Sequence, residues 1–426
     1  VWVAHELVHQ YQPSGGGVQL VGIPTFTGHV IVGDTLRARP WDGQTGGVLA
    51  LDVDGLLELA APIDASACGF RGGPKVAEPS QCQWFLQQND WYYPMGSWRG
   101  APKGEGIAAW IAGKEAGRGP QANGGGGGND HNAGGGGGGH LTSGGQGGEE
   151  VPPSVFGCHG PYPGKGGRPL DAAPGLRLFM GGGGGAGHTE YLSASNEGGR
   201  GGGILMLWAD SLRTHGFRLS ANGESLPVAN GESGGGGGAG GTIWLDVATA
   251  LDTIHAWVRG GDGGTVDNQT GRCAGPGGGG AGGRILTQVP VVAELAGGQN
   301  GINLNPGPCD DPASQAAPGE AGVLAPLPDL PQGTQPLADG LSWLLEPADA
   351  VGCAGDTATF ALAAAGPGVT YQWQRWDGTA GTWVPLAETP PFAGVDGPQL
   401  VVAPLADTLD GLQVRAVASS PCFDPI

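Results

Sequence analysis

Residues Gly234 to Val247 read Gly-Gly-Gly-Gly-Gly-Ala-Gly-Gly-Thr-Ile-Trp-Leu-Asp-Val, a polyglycine run passing directly into a β-type segment. Both halves recur. The hexapeptide Gly-Gly-Gly-Gly-Ala-Gly begins at Gly182, Gly235 and Gly277, and further Gly runs fill 124–128 and 134–139. The strand opening recurs as Gly46-Gly-Val-Leu-Ala-Leu-Asp-Val, Gly202-Gly-Ile-Leu-Met-Leu-Trp-Ala and Gly240-Gly-Thr-Ile-Trp-Leu-Asp-Val. Each is answered by a second strand, at Ile63-Asp-Ala-Ser-Ala, Phe217-Arg-Leu-Ser-Ala and Ile254-His-Ala-Trp-Val. A fourth opening, Gly282-Gly-Arg-Ile-Leu-Thr, has no evident partner. Units this small bury too little apolar surface to fold alone, so they must stack on one another. Glycine loses the most backbone freedom on ordering, roughly 1–2 kcal/mol per residue, and offers no side chain to bury. Ordered Gly runs therefore need dense main-chain hydrogen bonding between chains that approach closely because no Cβ intervenes. The rival arrangement is flexible Gly loops on a β core.

The expected fold is all-β: a glycine-rich β-solenoid with polyglycine segments of polyproline-II type over 1–315, a Pro-rich linker over 316–340, and an immunoglobulin-like β-sandwich over 341–426. The last rests on alternating segments such as Thr357-Ala-Thr-Phe-Ala-Leu, Thr370-Tyr-Gln-Trp-Gln and Leu412-Gln-Val-Arg-Ala-Val, with Trp373 placed like the buried Trp of an immunoglobulin strand. The sandwich is expected to be partial, truncated at its C-terminal end.

The 91 glycines and 35 prolines among 426 residues exclude an ordinary single-core globule, and the lack of a Gly-X-Y period excludes collagen. A formal charge of −20 repels phosphate backbones and anionic membranes, which argues against nucleic-acid partners. No apolar run reaches the roughly 20 residues of a membrane span, so direct membrane insertion is not expected. Seven cysteines without a C-x-x-C pair fit scattered disulfides in an extracellular setting, one thiol being left over. Cys68 with Cys82 and Cys273 with Cys309 could close local loops; Cys353 with Cys422 is a looser candidate.

Gln19-Leu-Val-Gly-Ile-Pro, Pro40-Trp-Asp-Gly, Gly69-Phe-Arg-Gly-Gly, Lys103-Gly-Glu-Gly-Ile-Ala and, most specifically, Gln121-Ala-Asn-Gly-Gly-Gly-Gly-Gly-Asn-Asp-His-Asn resemble glycine-rich surface proteins of gliding bacteria that use the type IX secretion route. Gly355-Asp-Thr-Ala-Thr-Phe and Asp410-Gly-Leu-Gln-Val-Arg resemble the immunoglobulin-like repeats of such proteins. The resemblance implies a secreted cell-surface adhesin without catalytic residues, whose partners are surface glycans, extracellular matrix or other cell surfaces.

Three groups of residues carry chemistry. Trp84, Trp91, Tyr92, Tyr93 and Trp98 lie in an aromatic-rich segment that either stacks on sugar rings or packs over the side-chain-poor body. Asp130, His131, His140 and His188 sit at the edges of Gly runs and could converge on a cation or cap exposed main-chain groups; the acidic surplus allows weak Ca²⁺ binding. His5-Glu-Leu-Val-His9 matches the H-E-x-x-H zinc pattern, with Glu6 as the activating carboxylate, but Pro13 ends any helix at once. A secreted zinc metallopeptidase and a polyglycine-sandwich tip of a phage tail fibre are the alternatives to the adhesin. No enzyme is expected and no cofactor is assigned.

Overall fold

The computed structural model describes residues 19–76, 89–129, 131–150, 160–170, 177–190, 196–230, 232–267, 273–304, 309, 311–328, 341–365, 368–420 and 425. Contacts divide them into two compact units, one within 12–330 and one within 331–426. Both are built of strands; the one helical segment among the described residues is a 3-10 turn at Asp407–Leu409. No helix among them is long and apolar enough to cross a membrane.

The first unit opens with β1 (Thr25–Val32), β2 (Leu36–Arg37), β3 (Val48–Leu59) and β4 (Ile63–Asp64). After a long excursion come β5 (Ile204–Arg213), β6 (Arg218–Ser220), β7 (Ala229–Asn230), β8 (Thr242–Ala250) and β9 (Ile254–Trp257). The unit closes with β10 (Val266–Asp267), β11 (Arg284–Thr287), β12 (Val291–Glu294) and β13 (Val323–Ala325). Two parallel sheets result, in the orders β1-β3-β5-β8-β11-β13 and β12-β9-β6-β4-β2, with β7 and β10 forming a separate parallel pair.

The repeated openings are in register. Val48, Ile204, Thr242 and Arg284, each the residue after a Gly pair, stand side by side across β3, β5, β8 and β11. One step further, Leu49, Leu205, Ile243 and Ile285 form a row, followed by Leu51, Leu207 and Leu245. These rows point inward, buried against Ile63, Leu219 and Ile254 of the second sheet. Strand alternation sends Met206, Trp208, Trp244 and Leu286 to the outer face, where they pack with Leu178 and Leu327. Among the answering strands Phe217 aligns with Ile254 in the register of β6 and β9, but Ile63 pairs with Leu219, two residues along, which keeps the same face inward. The fourth opening does have a partner: β12 pairs with β9.

Most of the excursion between β4 and β5, together with the other Gly runs, forms a lattice of main chain. Segment 181–188 shows its rule. Gly181, Gly184 and Gly187 donate to Gly202, Gly199 and Asn196; Gly182, Gly185 and His188 donate to Gly139, Gly136 and Ala133; Gly183 and Ala186 donate to Glu105 and Pro102. Its carbonyls receive N–H groups from three further segments, through Gly73, Gly125 and Gly236. Partners change with a period of three, so this segment has six neighbours, as expected of a helix with three residues per turn and no internal hydrogen bonds. Segment 134–139 obeys the same rule, donating to 145–148, 234–237 and 123–126 and accepting from 164–167, 278–281 and 182–185. There is no room for side chains between such neighbours. A Cβ added to Gly184 would lie 1.9 Å from the carbonyl oxygen of Gly236. The Ala of each hexapeptide, Ala186, Ala239 and Ala281, is wholly buried and marks where the lattice admits one methyl.

The stretch from Ala316, expected to be a linker, begins inside the first unit: Ala317 and Gly319 donate to Gln146 and Gly298, and β13 pairs with β11. Proline withholds its own N–H, but the intervening Ala and Gly residues supply donors, so a Pro-rich string can join the lattice. Of the expected disulfides, Cys273–Cys309 is present. Cys68 is a buried free thiol, its Sγ 3.3 Å from the carbonyl oxygen of Ala38, and its expected partner Cys82 lies outside the described residues. Cys353 is free and exposed; Cys422 also lies outside the described residues.

The second unit is antiparallel. It contains β14 (Ser342–Leu345), β15 (Ala358–Ala361), β16 (Ala363–Ala365), β17 (Thr370–Asp377), β18 (Thr382–Pro385), β19 (Phe392–Ala393), β20 (Gln399–Val402) and β21 (Val414–Ser419). They form sheets β14-β16, β15-β20-β19 and β18-β17-β21. Trp373 on the central β17 is fully buried among Leu362, Leu386, Leu400 and Val402, its indole N–H donating to the carbonyl of Gly397.

Candidate functional site

A lattice made of main chain presents few side chains, so chemistry concentrates where the chain leaves it. Two such excursions meet over 89–119. An antiparallel bridge joins Tyr93 to Ala116, the amide of Gly119 donates to the carbonyl of Trp91, and Gly117 turns back with φ of 97°. Below them Lys103 and Gly117 donate to Glu115 and Ala101, and Gly127 donates to Gly117, fastening the pair to the lattice.

The loops display Trp91, Tyr92 and Met95 on one side and Ile107, Trp110 and Ile111 on the other, all exposed, with Trp91 at 56% and Tyr92 at 50%. Large exposed apolar groups concentrated on neighbouring loops mark a contact surface. The aromatic segment therefore divides. Tyr93 is buried, its hydroxyl accepting from the amide of Asp90, and acts in packing. Trp41 packs edge-on against Phe70 and donates to Glu105, which Arg71 grips through two nitrogens. Trp98 is partly buried. Trp84 lies outside the described residues.

Cations accompany the exposed rings. Lys114 Nζ lies 4.4 Å from the centre of Tyr92, the Arg118 guanidinium 5.1 Å from Trp91 and 5.0 Å from Tyr162, and Arg99 5.2 Å from Trp98. Lys103 stands beneath, 5% exposed. Burial, with a further push from Lys114, brings its ammonium down to about 8. Burial also lowers Arg118. Glu115 is the carboxylate in reach of Lys103, but its oxygens accept from the amides of Met95 and Gly113. Its own main-chain N–H, with those of the loop, holds its carboxyl below the ordinary value. The sequence did not bring Lys114 and Arg118 to these rings, because they lie 22 and 27 residues past Tyr92 and Trp91, and Arg118 lies 44 residues before Tyr162.

The histidines do not gather. His131 donates through Nδ1 to Glu150 (2.7 Å) and through Nε2 to Glu190 (3.0 Å). Burial opposes its charge, but the hydrogen bonds and charges of the two carboxylates win and raise it to about 10. His140 is wholly buried; its Nε2 donates to the carbonyl of Phe179 and lies 3.1 Å from Thr242 Oγ1. Burial lowers it to about 4. His188 donates to the carbonyl of Trp98. These rings brace the lattice and its loops, and no three His, Cys, Asp or Glu side chains among the described residues are grouped to hold a metal. Asp130 and the segment with His5, Glu6 and His9 lie outside the described residues. No family model, curated protein or solved structure matches the chain.

Proposed function

We propose that this is a non-enzymatic, extracellular adhesin whose polyglycine body presents the paired loops over 89–119 to surface glycans. In this reading the first unit is a two-sheet solenoid continued by the polyglycine lattice, and the second is an immunoglobulin-like sandwich, a further module of the chain. Stacking of in-register repeats supports the solenoid, and the buried Trp373 on a central strand supports the sandwich. The observation that carries this reading is the exposure of Trp91 and Tyr92, each with a cation over its ring, on loops anchored to the main-chain lattice. Flat aromatic faces held rigidly lose little entropy on stacking against sugar rings. Glycan-array binding by the protein and by the Trp91→Ala/Tyr92→Ala variant tests this. Binding is expected to be lost with the thermal midpoint unchanged; unchanged binding, or no bound glycan at all, overturns it. Tyr93→Ala, by contrast, should lower the midpoint, since that ring is buried.

A further inference from the structure

In the first unit Arg37 meets Asp64, Arg39 meets Asp42 and Arg71 meets Glu105, whereas Arg200 is held by carbonyls and Arg218 lies over Trp257. At the paired loops four cations lie close together beside exposed aromatic rings. Among the described residues none of Arg99, Lys103, Lys114 and Arg118 makes an ion pair, and the Lys103 ammonium has no hydrogen-bonding partner although its side chain is more than nine-tenths buried. Burial and then Lys114 push the Lys103 ammonium down, Glu115 opposing them, so positive charge is concentrated at the site. The Lys103 side chain is buried along its length while its ammonium, unpaired within the protein, is still open to solvent and can receive an anion from outside.

We propose that the paired loops bind an acidic polysaccharide of the uronate type, its carboxylates meeting Lys103, Lys114 and Arg118 while its rings lie on Trp91 and Tyr92. This rests on the glycan-binding reading above and names the class of glycan. The charge of the whole chain bears on the choice. At −20, long-range repulsion disfavours densely phosphorylated polymers, whereas a saccharide with spaced carboxylates can be held by a local cationic patch within a Debye length of about 8 Å.

Titration calorimetry with polygalacturonate oligosaccharides and with neutral galactan oligosaccharides of equal length tests the inference on the full chain. The expected result is binding of the uronate alone, weakened at least tenfold by Lys114→Gln/Arg118→Gln and weakened by raising salt from 50 to 300 mM. Both substituted residues lie at the surface loops, and an unchanged thermal midpoint checks that the fold persists. Lys103→Met should weaken uronate binding as well, and the unmodified protein should bind less tightly as pH rises past Lys103's titration, with Lys114 and Glu115 the charged groups facing it. Equal affinity for both oligosaccharides, or array binding restricted to neutral glycans, overturns the acidic-ligand inference while leaving glycan binding intact. Absence of any glycan on the array overturns both.

Discussion

Replacing Gly184 by alanine puts the lattice to its sharpest test. The added Cβ would stand 1.9 Å from the carbonyl oxygen of Gly236 and 2.5 Å from its carbon, both main-chain atoms that cannot rotate away. Relief to an ordinary contact moves one segment by more than 1 Å. The Gly236 carbonyl accepts from Gly199 and its amide donates to Gly185, each at 2.9 Å, so that movement breaks two buried hydrogen bonds. Leaving such groups unsatisfied costs about 1–3 kcal/mol apiece. Against this, alanine restricts the unfolded chain and returns about 0.4–1 kcal/mol. The net expectation is a loss of about 1–5.5 kcal/mol. Gly33 supplies the control: a Cβ there meets nothing within 4 Å, so Gly33→Ala should be neutral or stabilising by up to about 1 kcal/mol. Urea unfolding followed by tryptophan fluorescence measures both. If the Gly184 variant unfolds within about 0.5 kcal/mol of the Gly33 variant, the Gly runs are slack connectors and the lattice argument is wrong.

Two histidines should give stability opposite slopes with pH. His131 is raised to about 10, so its contribution is complete below its unfolded value near 6.5 and is lost as pH rises toward 10; at most about 5 kcal/mol is involved, and the stability gap between the protein and His131→Gln should close across that window. His140 is lowered to about 4, so the unfolded chain binds the proton first between pH 6.5 and 4, and stability should fall by about 3 kcal/mol as the solution is acidified through that range. A pH series of urea midpoints that shows no dependence on His131 above pH 7 contradicts the ion-pair assignment. Cys273 and Cys309 are 36 residues apart, so Cys273→Ser/Cys309→Ser should cost about 4 kcal/mol in a thermal or urea melt, and an unchanged melt contradicts the bridge.

The sequence made the stacking legible because the Gly pair before each strand acts as a ruler. Aligning Gly46, Gly202, Gly240 and Gly282 by eye reproduces the lateral register of β3, β5, β8 and β11 residue for residue. The answer to the fourth opening stayed hidden because β12 follows Pro290 and alternates half-buried with exposed positions, lacking the apolar signature of its neighbours. The polyglycine geometry followed from an entropy argument, but its six-fold neighbourhood did not, since the partners of 181–188 come from segments as far apart as 70–73 and 236–239. His131 looked like a possible metal ligand for the same reason: its carboxylate partners lie 19 and 59 residues away, a separation at which spacing rules say nothing.

Glycine and side-chain chemistry exclude one another in this architecture, and that exclusion bears on where function can sit. Inside the lattice nearly every added methyl would meet a carbonyl at about 2 Å, so the body admits little variation in side chains. At its ends the constraint lifts, because an excursion need only return the chain to a segment in the three-residue phase of its neighbours. The loops over 89–119 show what this permits: Tyr93 is buried as an anchor, Gly117 makes the reversal, and Trp91 and Tyr92 are left exposed with unpaired cations beside them. On the reading proposed above, substitutions at Trp91, Tyr92, Lys114 or Arg118 should alter binding and leave unfolding nearly untouched, the reverse of what Gly184→Ala should do.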